Sequence, residues 1–263
     1  MDIPEYESAL PTILTYHKIG PHLELGITTV GRKRFAGHMD LLINLGGAFC
    51  KASNVVREGC GGSGVVVTFD DGYESVYTEA LPEMITRGIP GTVFPVVGSV
   101  GGWNKWDVNL APRPVRHLSW DQLRELTAAG FEIGSHSLTH RDLTKLGHRE
   151  LVRELADSKK IIEDTIGVEV TAVSYPFGRF FDRVLDEAAA AGYTCGFTSS
   201  PVARDSLMAI GRWALYAMDG AGSLERKLGL RAGRRVERLK NRVIASLSLG
   251  TTLIKRQGGI QGE

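Results

Sequence analysis

Residues 64–75 read GVVVTFDDGYES. The run Gly64–Phe69 is apolar and β-branched without alternation, which suits a strand covered on both faces, as in a parallel sheet. Asp70 and Asp71 follow at once, and Gly72 permits a sharp turn after them. An Asp cap beside a turn Asp would be an ordinary reason for such a pair. Two adjacent carboxylates also repel one another, and a bound cation is one way to stabilise both.

Similar short apolar runs lie on either side: Thr12–Tyr16 (TILTY), Gly91–Val97 (GTVFPVV), Phe131–Ser135 (FEIGS) and Val170–Tyr175 (VTAVSY). Helical patterns separate them. Phe35–Leu45 gathers Phe35, Met39, Leu42 and Ile43 on one side, Val76–Arg87 stops at Gly88, and Ser119 is placed as an N-cap before Leu123 and Leu126. His148–Ile166 and Asp182–Ala191 continue the alternation. Strand then helix, repeated, predicts an α/β fold that is either a βα barrel or a doubly wound sheet. In both, functional side chains gather at the C-terminal strand ends.

The run FEIGSHSLTH puts His136 and His140 after another apolar strand. Two imidazoles at that spacing converge on one metal from a helical face or around a turn, although such pairs are often plain surface residues. One carboxylate with two imidazoles leaves open positions for water and substrate.

TFDDG, H-S-x-x-H and a later Y-P-F-G, in this order between about Pro11 and Thr198, resemble the polysaccharide deacetylase family of chitin, peptidoglycan and nodulation-factor deacetylases. The resemblance implies a distorted (β/α) barrel of about seven parallel strands. It implies Asp70 as general base, and Asp71, His136 and His140 as ligands of a divalent metal. Zinc is the expected ion, with cobalt and nickel as alternatives, because this ligand set tolerates several.

Two departures from the family pattern stand out. The third motif usually begins with Arg, and Ser174 stands there instead, ahead of Pro176, Phe177 and Gly178. The resemblance gives Phe177 the role of backbone donor to the oxyanion. Many members also use a histidine near the C-terminus, but none follows His148 in this chain. ILTYHKI instead places His17 just past the first strand, as in rearranged poly-N-acetylglucosamine deacetylases, where an N-terminal strand supplies the acid. Trp103 and Trp106 lie in a glycine-rich stretch after the Gly91–Val97 strand, placed to stack on a sugar or to cap packing. His22, His38, His117 and His148 have no such context and read as surface or satisfied residues.

With 43% hydrophobic and 23% charged residues and a net charge of +1, the chain has the composition of a soluble globular protein, and nothing points to nucleic acid. Charge is uneven, however. Ser223–Arg256 holds ten basic residues against Glu225 and Glu237, a local +8. The expected organisation is a barrel domain over 1–222 and a basic, helical extension over 223–263. In the extension, Leu228, Val236, Leu239, Val243 and Leu247 could form one apolar face. That face either packs on the barrel or lies peripherally on a membrane leaflet. Cys50, Cys60 and Cys195 form no disulfide framework and are expected as reduced or buried thiols; with an acidic N-terminus unlike a signal peptide, the expected location is cytoplasmic, with inner-leaflet contact through the tail.

The expected function is metal-dependent removal of acetyl groups from an acetylated polysaccharide or oligosaccharide, N-acetyl amino sugars foremost. The rivals are a small-molecule amide hydrolase on the same scaffold and a catalytically weak carbohydrate-binding relative.

Overall fold

The computed structural model describes residues 10–20, 27–56, 62, 64–104, 115–201 and 206–257, with 246–257 as helix backbone only. Strand β1 (Thr12–Tyr16) is followed by the short β2 (Lys18–Gly20), β3 (Thr29–Gly31) and β4 (Phe49–Cys50). Then come β5 (Val65–Asp71), β6 (Thr92–Pro95), β7 (Glu132–Ile133), β8 (Ala172–Ser174), β9 (Cys195–Phe197) and β10 (Trp213–Ala214). All strand pairings are parallel. The main sheet runs β10-β1-β5-β6-β7, and β4 holds the start of the edge of β5 that β6 holds farther on.

Single bridges from Ser135 to Val173 and from Phe197 to Ile210 join β7 to β8, and β9 to the segment that enters β10. The result is a distorted (β/α) barrel whose ladder thins to one bridge at two joints.

The side-chain period of two divides β5 between two environments. Val65, Val67 and Phe69 pack in the larger core under the helices, whereas Val66 belongs to the inner cluster with Ile13, Phe94, Ala172, Phe197 and Ile210. Asp70 shares the parity of Val66 and Thr68, so strand geometry alone directs it to the barrel interior. The two carboxylates are the last residues of the strand and not a turn beyond it.

The helices are α1 (Arg32–Asn44), α2 (Leu81–Ile85), α3 (Trp120–Ala128), α4 (His148–Val152), α5 (Ser158–Ile166), α6 (Asp182–Ala190), α7 (Ala221–Leu228) and α8 (Arg234–Gln257). Ser119 caps α3 as expected: its hydroxyl accepts from the Gln122 amide at 3.1 Å while the Gln122 side chain accepts from the Ser119 amide at 2.8 Å. The continuous helices expected over 76–87 and 148–166 are each interrupted by a π-helical turn, at Val76–Ala80 and Arg153–Asp157. The second turn carries Glu154, which is buried against the loop that bears the histidine pair.

The boundary expected after residue 222 falls inside α7. Leu224 and Lys227 are fully buried, and Glu237 and Asn241 of α8 are nearly so. Asn241 donates to the Ala214 carbonyl at 3.1 Å. Asp219 accepts from Lys227 (2.8 Å), Ser223 (2.7 Å) and Lys240, while Lys227 and Lys240 also pair with Glu237 at 3.2 and 2.5 Å. Side chains as far as Asn241 therefore pack against the barrel. Cys50 is disulfide-bonded and Cys195 is a buried free thiol, which corrects the expectation that all the cysteines are reduced or buried thiols; Cys60 lies outside the described residues.

Burial would raise the Asp219 and Glu237 carboxyls, but the Lys227 and Lys240 ammonium groups outweigh it and hold both at about 2. Both are depressed, so their stabilisation is present above about pH 4 and lost as pH falls through 2. Lys227→Met removes a fully buried counter-charge and should cost about 3–5 kcal/mol in urea unfolding at neutral pH, with a smaller penalty near pH 3. A penalty below about 1 kcal/mol at both pH values would contradict this account of how the tail is held.

Candidate active site

Asp70 enters the barrel interior and meets Arg212, from the residue just before β10. The guanidinium clamps both carboxylate oxygens, Nη1 to Oδ1 at 2.8 Å and Nη2 to Oδ2 at 2.6 Å, with both side chains buried. Ser174 completes the corner: its hydroxyl donates to Asp70 Oδ2 at 3.2 Å and accepts from Arg212 Nη2 at 2.8 Å. The position where the family motif carries Arg thus holds a small hydroxyl, and the guanidinium arrives from another strand. Burial pushes the Asp70 carboxyl up, but the Arg212 charge outweighs this and keeps it below the usual carboxylate range.

Sequence reading missed Arg212. Its one local signal is a charge inside the apolar run AIGRWALYA (209–217).

Asp71 turns away from Asp70 because its backbone is left-handed, φ 68°. Gly72 follows at the same φ, and a Cβ there would lie 2.8 Å from the Pro95 backbone, so only glycine fits. The turn is pinned by His117, whose ring Nδ1–H donates to the Asp71 carbonyl at 3.0 Å, and by the Leu118 amide on the Gly72 carbonyl at 2.8 Å. His117 is therefore attached to the site, contrary to its reading as a residue without context.

Around a turn and not along a helix, His136 and His140 bring their Nε2 atoms to the same Asp71 Oδ1, each at 3.4 Å. His136 donates from Nδ1 to the Ser174 carbonyl at 2.7 Å, which fixes the tautomer and leaves Nε2 as a lone-pair donor. His140 sits at φ 58° after Ser137 at φ 66°, and its amide donates to the Ser137 hydroxyl at 3.2 Å. Glu154 accepts the Leu138 and Thr139 amides at 3.0 and 2.8 Å, supporting the turn from below.

One ligand atom from each of Asp71, His136 and His140 lies within 4.8 Å of the others. A buried carboxylate facing two imidazole lone pairs is a donor set that fits a divalent cation. Burial lowers His140 to about 4, so it is neutral and able to ligate at ordinary pH. His136 is buried too, but Asp70 and Asp71 outweigh that burial and raise it.

His17 follows β1 and lies near enough for its charge to act on Asp70, Asp71 and His140. Its Nδ1 is buried without a hydrogen-bond partner among the described residues. Phe177 adopts φ 61° beside His140, ring centroids 4.7 Å apart. Pro176 before it is buried, and Gly178 after it abuts Ser199 so closely that a Cβ would lie 2.4 Å from the Ser199 nitrogen.

Trp103 is 49% exposed on the loop after β6, its ring covered on one side by the Arg116 guanidinium at 5.1 Å. That loop is zipped to the histidine turn through the Val97 and Gly98 amides on the Ser137 and Leu138 carbonyls. Trp106 and His22 lie outside the described residues. His38 is buried between the Tyr16 hydroxyl and the Asp219 carbonyl, and the exposed His148 pairs with Glu187 at 2.8 Å.

Residues 59–196 match the family model described as polysaccharide deacetylase, slightly more than half of the 263-residue chain. The chain is 32% identical over 206 residues to a putative polysaccharide deacetylase of Bacillus subtilis, covering 75% of this chain and 67% of the relative. It is 31% identical over 140 residues to a chitooligosaccharide deacetylase of Sinorhizobium fredii, covering 52% of this chain and 58% of the relative. Its fold is shared with the Streptococcus pyogenes deacetylase PplD solved with acetate, at TM-score 0.71 and 20% identity over 84% of this chain and 99% of that one. The motif-bearing strands fall within the matched region, and the chain belongs to the polysaccharide deacetylase family.

Proposed function

We propose that the protein hydrolyses acetyl groups from an amino-sugar polysaccharide or oligosaccharide, releasing acetate and a free amine. One observation carries this reading: a divalent-cation donor set, Asp71, His136 and His140, lies beside a second carboxylate, Asp70, that Arg212 keeps ionised. The kinship with a chitooligosaccharide deacetylase supports an N-acetylated amino sugar as substrate.

Asp71, His136 and His140 would hold the ion, zinc by donor type, with cobalt and nickel also suited. Bound there, it supplies Lewis acidity to the acetyl carbonyl and acidifies a water. Asp70, ionised and fixed by two guanidinium bonds, accepts the proton of the attacking water. As the water oxygen bonds to the carbonyl carbon, the Phe177 amide donates to the oxygen that becomes negative. His17 protonates the sugar nitrogen as the carbon–nitrogen bond breaks, and acetate leaves. Trp103 offers a half-exposed indole to a sugar ring at the mouth of the site.

Asp70→Asn and His140→Ala should separate the two roles. The first should retain stoichiometric metal by elemental analysis and lose turnover on N-acetylglucosamine oligomers; the second should lose both. Near-wild-type acetate release from Asp70→Asn would overturn the base assignment.

His17→Ala should keep metal and fold while lowering kcat by about 10²–10⁴-fold, the usual contribution of a general acid. A loss of less than a few-fold would leave His17 with no part in proton transfer.

A further inference from the structure

Among its described side chains, helix α8 buries one side. Glu237 and Asn241 face the barrel and are buried, through Lys227 and the Ala214 carbonyl respectively. Val236, Leu239 and Val243 are 66%, 61% and 49% exposed. At the helical repeat of 3.6 residues, these three fall within an arc of about 60° on the side away from Glu237 and Asn241. Leu230, in the connection before the helix, is a further 58% exposed. The apolar face read from the sequence is thus split: Leu228 packs partly on the core, whereas Val236, Leu239 and Val243 point to solvent.

Cations flank this stripe. Arg235 and Arg242 are exposed along one edge, and Arg231, 63% exposed near its start, pairs at the surface with Glu225 at 3.7 Å. Lys227, Lys240 and Arg226 are committed to Asp219 and Glu237, which removes part of the formal +8 of Ser223–Arg256 but leaves the segment basic. An apolar strip bordered by arginines complements an anionic lipid surface, where side chains enter the acyl boundary and guanidinium groups meet phosphates. A second copy of the chain is a poor occupant, because a two-fold contact through the stripe would set Arg235 and Arg242 against their own counterparts. No helix among the described residues is long and apolar enough to cross a membrane, so the contact would lie along the surface.

We propose that the exposed face of α8, built from Val236, Leu239 and Val243 with Arg231 and Arg235, docks this protein on an anionic phospholipid membrane. The same helix touches the turn at Pro176–Gly178, so docking would hold the mouth of the site beside the bilayer, facing glycan at the membrane.

Co-sedimentation of the full chain tests the proposal, using phosphatidylcholine vesicles with and without phosphatidylglycerol. Wild type should partition onto the anionic vesicles, less so at high salt. Val236→Ser/Leu239→Ser/Val243→Ser should lower that partition by about tenfold or more, as should Arg231→Glu/Arg235→Glu at low salt. All five positions are exposed and the Arg231–Glu225 pair is a surface one, so urea midpoints should stay close to wild type and exclude misfolding as the cause. Equal wild-type partition on the two vesicle types would overturn the proposal, as would wild-type binding by the serine variant. A solution dimer that the serine variant dissolves would overturn it in favour of self-association.

Discussion

The buried ion pair between Asp70 and Arg212 is the constraint around which the barrel interior is arranged. A buried charge survives only if it is paired and its remaining hydrogen-bonding groups are satisfied. Arg212 meets that condition fully. Its five N–H groups are matched by Asp70 Oδ1 and Oδ2, Thr68 Oγ1, Ser174 Oγ and the Thr198 carbonyl. Phe94 and Phe197 lie beside the guanidinium, their ring centroids 5.6 and 5.8 Å from its carbon. The inward positions of β5, β6, β8 and β9 thus converge on one cation, and the carboxylate it clamps is the proposed general base.

Ser174 connects this pair to the candidate metal ligands. Its hydroxyl joins Asp70 and Arg212, while its carbonyl orients His136. Around the same site stand the four non-glycine residues with positive φ among the described residues: Asp71, Ser137, His140 and Phe177. Such conformations cost energy and persist where the surroundings over-determine them. Here His117 holds the Asp71 carbonyl, Glu154 holds the amides of the histidine turn, and the close contact of Gly178 with Ser199 fixes the turn at Phe177. Strain is concentrated where the three candidate ligand atoms come together.

Much of this was legible in the sequence, and what was not has physical reasons. The fully buried β5 is a run without alternation, so both its strand character and its parallel setting are written locally. The histidine pair was legible from its spacing, which left a helical face and a turn equally open. Arg212 was not, because it reaches Asp70 across 142 residues and precedes a strand of two residues, too short to leave a periodic signal. His117 and Glu154 act through backbone groups of distant loops, which no local pattern encodes. Inserting Glu154 under the histidine turn coincides with the π turn that divides an apparently continuous helix. The tail's basic composition likewise gives no sign that Lys227 and Lys240 pair with the buried Asp219 and Glu237.

The pH dependence of kcat/KM for Arg212→Met, set against wild type, tests the central ion pair most directly. Arg212 is what keeps a carboxyl that burial would otherwise raise below its usual range. Without that charge burial raises the Asp70 pKa, a larger share of the base is protonated on the acid side, and the acid limb of the profile moves upward. Activity near pH 6 should then fall far more than activity near pH 9, with metal content unchanged. An unshifted acid limb with wild-type kcat/KM would contradict the account.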